Sequence, residues 1–117
     1  MGRFHELLVL ERAYQLALDI HQETRTLVTN SPDGLLRQLQ SSAVAVATHI
    51  AQGYRQPSTY ERIGRMAMAE ESLEKLQEHL WLAQALGYLP INIVSSFRAS
   101  ADDIARKLGT MNPSVDS

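Results

Sequence analysis

The sequence predicts an all-α fold, an antiparallel up-down-up-down four-helix bundle, and three observations support this prediction. Four segments carry apolar residues at alternating spacings of three and four, the period of packed helices. Turn-forming residues separate these segments at 30–34, 53–58 and 87–90. The 117 residues suffice for one domain, which we expect to span 1–109 and to precede a flexible tail at 110–117.

Each predicted helix has one apolar stripe that can pack into a shared core. The stripes are Leu10, Ala13, Ala17, Ile20, Thr24 and Leu27 in the first helix; Leu36, Leu39, Ala43, Val46 and Ile50 in the second; Leu73, Leu76, Leu80 and Ala83 in the third; and Val94, Phe97, Ala101, Ile104 and Leu108 in the fourth. Four such helices joined by short loops bury their stripes together as a bundle.

Turn and cap chemistry sets the expected boundaries. Ser58 is the expected N-cap of the third helix, with Glu61 three residues later as in a capping box, and Gly87 ends that helix. Pro90 suits the first turn of the fourth helix, which we expect to reach Gly109. The competing interpretation is a strand at 43–47, but a lone five-residue strand would have no partner in this chain.

Composition limits the classes of function. The chain has 11 basic and 13 acidic residues and a net charge of −2, so it lacks the overall basicity of a dedicated nucleic-acid binder. It contains no cysteine, which excludes disulfides and thiolate chemistry. No apolar run is long enough for a signal peptide or a membrane span, so we expect a cytoplasmic protein with no membrane partner.

The third helix carries more apolar surface than one stripe needs. Tyr60, Ile63, Ala67 and Trp81 lie away from the stripe, and residues 43–47 of the second helix are apolar at every position. We predict that Tyr60, Ile63, Ala67 and Trp81 form a subunit interface in a homo-oligomer. The alternative is that these are ordinary scattered apolar residues on the surface.

A small basic cluster offers a second hypothesis. Arg55, Arg62 and Arg65 could neutralise phosphates, and Tyr54 could stack on an exposed base, so these residues form a possible nucleic-acid-binding patch. Glu61 lies inside this cluster and opposes the hypothesis.

The arginines and the later glutamates of the third helix also suit a head-to-tail contact between copies, although a solvated face explains them equally.

No catalytic motif is recognisable in the chain. Glu-x-x-His, the nucleophile elbow and the phosphate-binding glycine loop do not occur, and the four histidines lie apart in the sequence. We therefore expect no enzymatic activity, no cofactor and no metal site.

Two junctions carry a family resemblance, Ile-Ala-Gln-Gly-Tyr at 50–54 and Leu-Gly-Tyr-Leu at 86–89. With the surrounding segments 42–54 and 73–89, they resemble the four-helix-bundle family encoded in the intervening sequences of bacterial 23S ribosomal RNA genes. They are also similar to the accessory variability protein of diversity-generating retroelements. The resemblance implies a homopentamer without established enzymatic activity, and for some members nucleic-acid or partner-protein binding. We expect a self-assembling bundle that presents a repeated surface to a protein partner, with RNA binding as the alternative.

Overall fold

A computed structural model describes residues 3–111 and contains four long helices in this range. They are α1 (Arg3–Thr24), α2 (Leu35–Arg55), α3 (Thr59–Ala85) and α4 (Ile91–Met111), with a short 3₁₀ turn at Val28–Asn30. Residues 3–111 contain no strand, so the all-α prediction is confirmed and 43–47 belongs to α2. The fourth helix continues past Gly109 to Met111, and the rest of the predicted tail, 112–117, lies outside the described residues.

The ends of α3 follow the predicted cap chemistry. The Ser58 hydroxyl accepts a hydrogen bond from the backbone N–H of Glu61 at 3.4 Å, as an N-cap does. Gly87 follows the last turn of α3. Its φ of +79° lies in the left-handed region, where a residue with a side chain would be strained. The N–H of Tyr88 donates to the Ala83 carbonyl at 2.8 Å, and this completes a Schellman motif.

Asp33 fastens the start of α2 to the connection between α3 and α4. Its Oδ1 accepts from the backbone N–H of Leu35 at 3.0 Å and from the Ser31 hydroxyl at 2.9 Å. Its Oδ2 accepts from the Tyr88 hydroxyl at 3.0 Å. The Leu35 N–H, followed by the Ser31 hydroxyl, lowers the pKa of Asp33, and the bond to Asp33 raises the pKa of Tyr88.

The core contains the predicted stripes. Every stripe residue is buried except Ala17 and Leu27, which are half-buried, and α1 adds Val9 and Leu16 to the core. Helices adjacent in the chain pack against each other and α1 also packs against α4, while the contact between α2 and α3 is the largest. The Cα trace measures 44 × 20 × 20 Å, the shape of helices packed side by side.

Gly53 lies at a tight contact between α2 and α3. A Cβ at this position would lie 3.2 Å from the Arg65 Cβ and 2.8 Å from the Met66 Cε. Gly53 is buried, so the missing side chain is what allows the two helices to come this close.

An ion cluster links the first and last helices. Asp103 of α4 accepts from Arg12 of α1 at 2.5 Å and from Lys107 at 2.7 Å, and Arg106 lies 3.2 Å away. The hydrogen bond from Lys107 is the main cause that lowers the pKa of Asp103, and the charge of Arg12 acts in the same direction.

Gly53→Ala should reduce the free energy of unfolding by about 1 kcal/mol, because overpacking costs roughly 1–3 kcal/mol and the gain in helix propensity offsets only about 1 kcal/mol. The matched control is Gly109→Ala in α4, where an added Cβ meets nothing within 4 Å and should stabilise the protein. Urea unfolding at one fixed protein concentration measures both changes. Equal stabilisation by the two variants would contradict the proposed close contact at Gly53.

Asp103→Asn should lower the melting temperature at pH 7 by a few degrees, the scale expected for a surface ion cluster. A carboxylate whose pKa is lower in the folded state than in the unfolded state stabilises the folded protein at any pH above its unfolded pKa. This stabilisation is lost as the pH falls through the folded pKa. The difference in melting temperature between the variant and the wild type should therefore become smaller below about pH 4. Asp102→Asn is the control, because Asp102 accepts its hydrogen bond from the uncharged Gln77 amide. A difference that stays constant down to pH 2 would contradict the role of the ionised Asp103.

Candidate interaction surfaces

The four residues predicted as an interface lie along one side of α3, and we call them the α3 stripe (Tyr60, Ile63, Ala67, Trp81). Ile63 and Trp81 are 18 residues apart, which is five helical turns, so they point in the same direction about 27 Å apart. Tyr60 is 86% exposed and Trp81 is 58% exposed, Ala67 is also exposed and Ile63 is half-buried. Two large aromatic side chains are therefore open to solvent in a single copy.

An acidic band of Glu70, Glu71, Glu74 and Glu78 lies between the two apolar ends of the α3 stripe. Burial, followed by the charge of Glu74, raises the pKa of Glu70, one of whose carboxylate oxygens is buried without a hydrogen bond. Glu71 faces Lys75 at 3.7 Å. Glu74 and Glu78 are exposed and make no ion pair within residues 3–111. This face of α3 is thus apolar at both ends and negatively charged between them.

Contacts to the neighbouring helices show which flank of α3 carries the stripe. Gln77 donates to Asp102 of α4 at 2.8 Å and accepts from Arg98 of α4 at 3.4 Å. His79 lies on the other flank, where its Nδ1 is 2.9 Å from the Ser42 hydroxyl of α2, and burial lowers its pKa. Trp81 follows Gln77 by four residues and therefore lies on the flank that faces α4.

A second exposed apolar surface combines Val44, from the segment 43–47 that the sequence singles out as apolar, with three residues of α1 that the sequence analysis does not predict, and we call it the α1–α2 stripe (Leu7, Tyr14, Leu18, Val44). Leu18 is 58% exposed and Val44 is 56% exposed, and Leu7 and Tyr14 are exposed as well. Leu7, Tyr14 and Leu18 follow one another at spacings of seven and four, so they share one side of α1. This spacing is the sequence signal that would have found them.

The α1–α2 stripe occupies the side of the molecule away from the α3 stripe. Arg12 of α1 reaches α4, and Tyr14, two residues later, points to the opposite flank of α1. Ser42 of α2 contacts α3, and Val44 likewise points to the opposite flank of α2, towards α1. One stripe therefore borders the α1–α2 groove, and the other lies on α3 near α4.

The predicted basic patch is only partly formed. Arg55 is exposed, whereas Arg62 forms an ion pair with Glu6 of α1 and Arg65 is half-buried with its Nη1 3.9 Å from the Met68 sulfur. Tyr54 is half-buried. A groove of about 300 Å³ lies beside these residues, and its lining is Gln56, Glu61, Gly64, Arg65 and Met68.

Groups of three or more His, Asp or Glu side chains that could hold a metal ion do not occur within residues 3–111. His79 bonds to Ser42, and the Nδ1 of His49 is buried without a hydrogen bond. None of the helices in this part of the chain is long and apolar enough to cross a bilayer.

The fold and these surfaces define a small helical protein with unusually exposed apolar stripes. The chain belongs to the 23S rRNA-intervening sequence protein family, whose sequence profile matches residues 5–110. No curated protein matches the chain. The match concerns this family alone, so the similarity to the accessory variability protein of diversity-generating retroelements stays a prediction.

Proposed function

We propose that this protein is a non-enzymatic helical bundle that assembles with copies of itself in the cytoplasm and presents a repeated surface to a protein partner. The observation that carries the proposal is the exposure of Tyr60 and Trp81 on one side of α3. Burying large aromatic side chains of this kind is a main source of affinity in protein interfaces. The absence of cysteine is compatible with the reducing conditions of the cytoplasm.

We propose that the helices run up-down-up-down within each copy. Two contacts between α2 and α3 support this direction. Ser42, early in α2, bonds to His79 late in α3, whereas Gly53, late in α2, lies beside Met66 early in α3. Residue numbers thus rise along one helix as they fall along the other.

We favour a pentamer as the assembled form because the resemblance of the junctions at 50–54 and 86–89 implies that assembly. A homo-oligomer repeats each remaining outer face once per copy, and a partner with several matching sites would bind it with avidity. The proposed mechanism is therefore multivalent presentation, in which each copy contributes a weak contact.

Trp81→Glu should convert the assembly into single chains, because a charge at the contact would have to be desolvated without a partner. Light scattering should give five times the chain mass of 13.1 kDa for the wild type and the mass of one chain for the variant. Trp81 is the only tryptophan, so its fluorescence should also shift to longer wavelength when the wild type is diluted.

Ala99→Glu is the matched control, because Ala99 is an exposed helix-interior residue on the outer face of α4. This variant should keep the wild-type mass, and circular dichroism should show unchanged helix content in both variants. A wild type that has the mass of one chain at micromolar concentration would refute self-assembly.

RNA binding is a second candidate, favoured by the exposed Arg55 beside Tyr54 and by Arg65 at the adjacent groove. Arg62 supports it less, because Glu6 already neutralises its charge. Five copies of a small patch would bind a single-stranded RNA far more tightly than one copy.

If RNA binds, Arg55→Ala should weaken the binding of a single-stranded RNA at low salt. It should also reduce the slope of log K against log salt by about 0.7 for each copy whose Arg55 contacts a phosphate, because the substitution is present in every copy of the assembly. Arg98→Ala on α4 is the matched control and should leave both quantities unchanged. Fluorescence anisotropy with a labelled oligonucleotide measures them. If the wild type shows no binding at 20 mM salt, this candidate is excluded.

A further inference from the structure

We propose that the α1–α2 stripe is the receiving surface for the α3 face of a second copy of this chain. The proposal rests on the self-assembly proposed above and names the other half of the contact. It assigns Tyr14, Leu18 and Val44 to the interface, and of these only Val44 lies in a segment whose sequence pattern indicates excess apolar surface.

The placement of the two stripes makes the contact one between unlike faces. The α3 stripe lies on the α4 flank of α3, and the α1–α2 stripe lies on the opposite side of the packed helices. The two stripes of one chain cannot touch each other. If each copy offers both faces, the α3 face of one copy docks on the α1–α2 face of the next, which is a heterologous contact.

Charge complementarity favours a second copy as the occupant of the α1–α2 stripe. The helix α2 contains no acidic residue, and its Arg37 and Arg55 are exposed without an ion pair to any residue in 3–111. The α1 side of the stripe adds one exposed acid, Glu11, between Leu7 and Tyr14, so the positive charge of this surface lies on its α2 side. They are 18 residues apart, so they point in the same direction as each other, and Val44 lies between them within about 20° of that direction. The acidic band on α3, with Glu74 and Glu78 unpaired, carries the opposite charge.

The spacing of charged and apolar residues matches across the two faces. Val44 follows Arg37 by seven residues, and Trp81 follows Glu74 by seven, so parallel docking places Trp81 on Val44 and Glu74 at Arg37. Antiparallel docking of the two helices also fits. Arg55 follows Val44 by eleven residues and Trp81 follows Glu70 by eleven, so Glu70 lies at Arg55 when Trp81 lies on Val44. In either direction an arginine meets the acidic band when the apolar residues meet.

The outer face of α4 differs from both stripes. Its exposed central positions carry Ser95, Ser96, Ala99 and Arg106, which are small or charged. Such a face gives little apolar area to bury, so it serves as the reference surface for the experiment.

A complementation experiment tests the proposal with two variants of the full chain. Val44→Glu removes the receiving face, and Trp81→Glu removes the α3 face. Each variant alone should have the mass of one chain, 13.1 kDa. Their equimolar mixture should have twice that mass, because each variant keeps the face that the other has lost. Leu18→Glu replaces Val44→Glu as the receiving-face variant if the latter does not fold by circular dichroism.

The possible outcomes separate this proposal from self-assembly in general. A wild type with the mass of one chain refutes self-assembly and, with it, the proposed contact. If the wild type assembles and the receiving-face variant keeps the wild-type mass, the α1–α2 stripe is not the contact and self-assembly stands. If both variants are single chains and their mixture remains so, the faces do not bind each other. Ala99→Glu mixed with either variant should produce larger species than the two-chain complex, because it retains both faces.

A charge-reversal series provides an independent test of the occupant. Arg37→Glu together with Arg55→Glu should shift the assembly midpoint to at least tenfold higher protein concentration, and raised salt should shift the wild-type midpoint in the same direction. A variant with both arginines reversed should then recover assembly when mixed with Glu70→Arg/Glu74→Arg chains. Wild-type assembly by the arginine-reversed variant alone would overturn the role of charge complementarity.

Discussion

The close packing of α2 against α3 is the constraint on which the other features depend. The two helices meet along the largest contact in the fold, and Gly53 lies at a tight point of that contact. In this contact Val46 and Leu76 point into the core, and their burial fixes the rotation of both helices about their axes. Because the rotation is fixed, Val44 and Trp81 must face outwards, and the two exposed stripes are a consequence of how the core is filled.

The core and helix boundaries were predictable because they depend on local periodicity and cap chemistry. Ser58 and Gly87 sit at the ends of α3 as expected, and nearly all stripe residues are buried. The ion cluster at Asp103 was not predictable, since it depends on which side chains meet between helices that are far apart in the chain. The helix α4 extends two residues beyond Gly109 to Met111, because a glycine weakens a helix without necessarily ending it.

The candidate surfaces show where sequence patterns stop being sufficient. Apolar residues in excess of one stripe indicated a second surface on α3, and Tyr60 and Trp81 are exposed there. The basic patch is predicted from proximity along the chain, whereas Arg62 forms an ion pair with Glu6 of α1, a contact that the sequence does not indicate. Leu7, Tyr14 and Leu18 share one side of α1 by their spacing alone, whereas the contact of Arg12 with α4 determines which neighbouring helix that side faces.

The pairing of Arg62 with Glu6 couples events at α3 to the amino-terminal turn of α1. Any polyanion that drew Arg62 away would leave the largely buried Glu6 carboxylate without this counter-charge and would favour loosening of the first turns of α1. By linkage, conditions that release those turns would make the guanidinium more available to the polyanion to the same extent. Amide hydrogen exchange in the first turns of α1 would then depend on whether the polyanion occupies Arg62 at the start of α3.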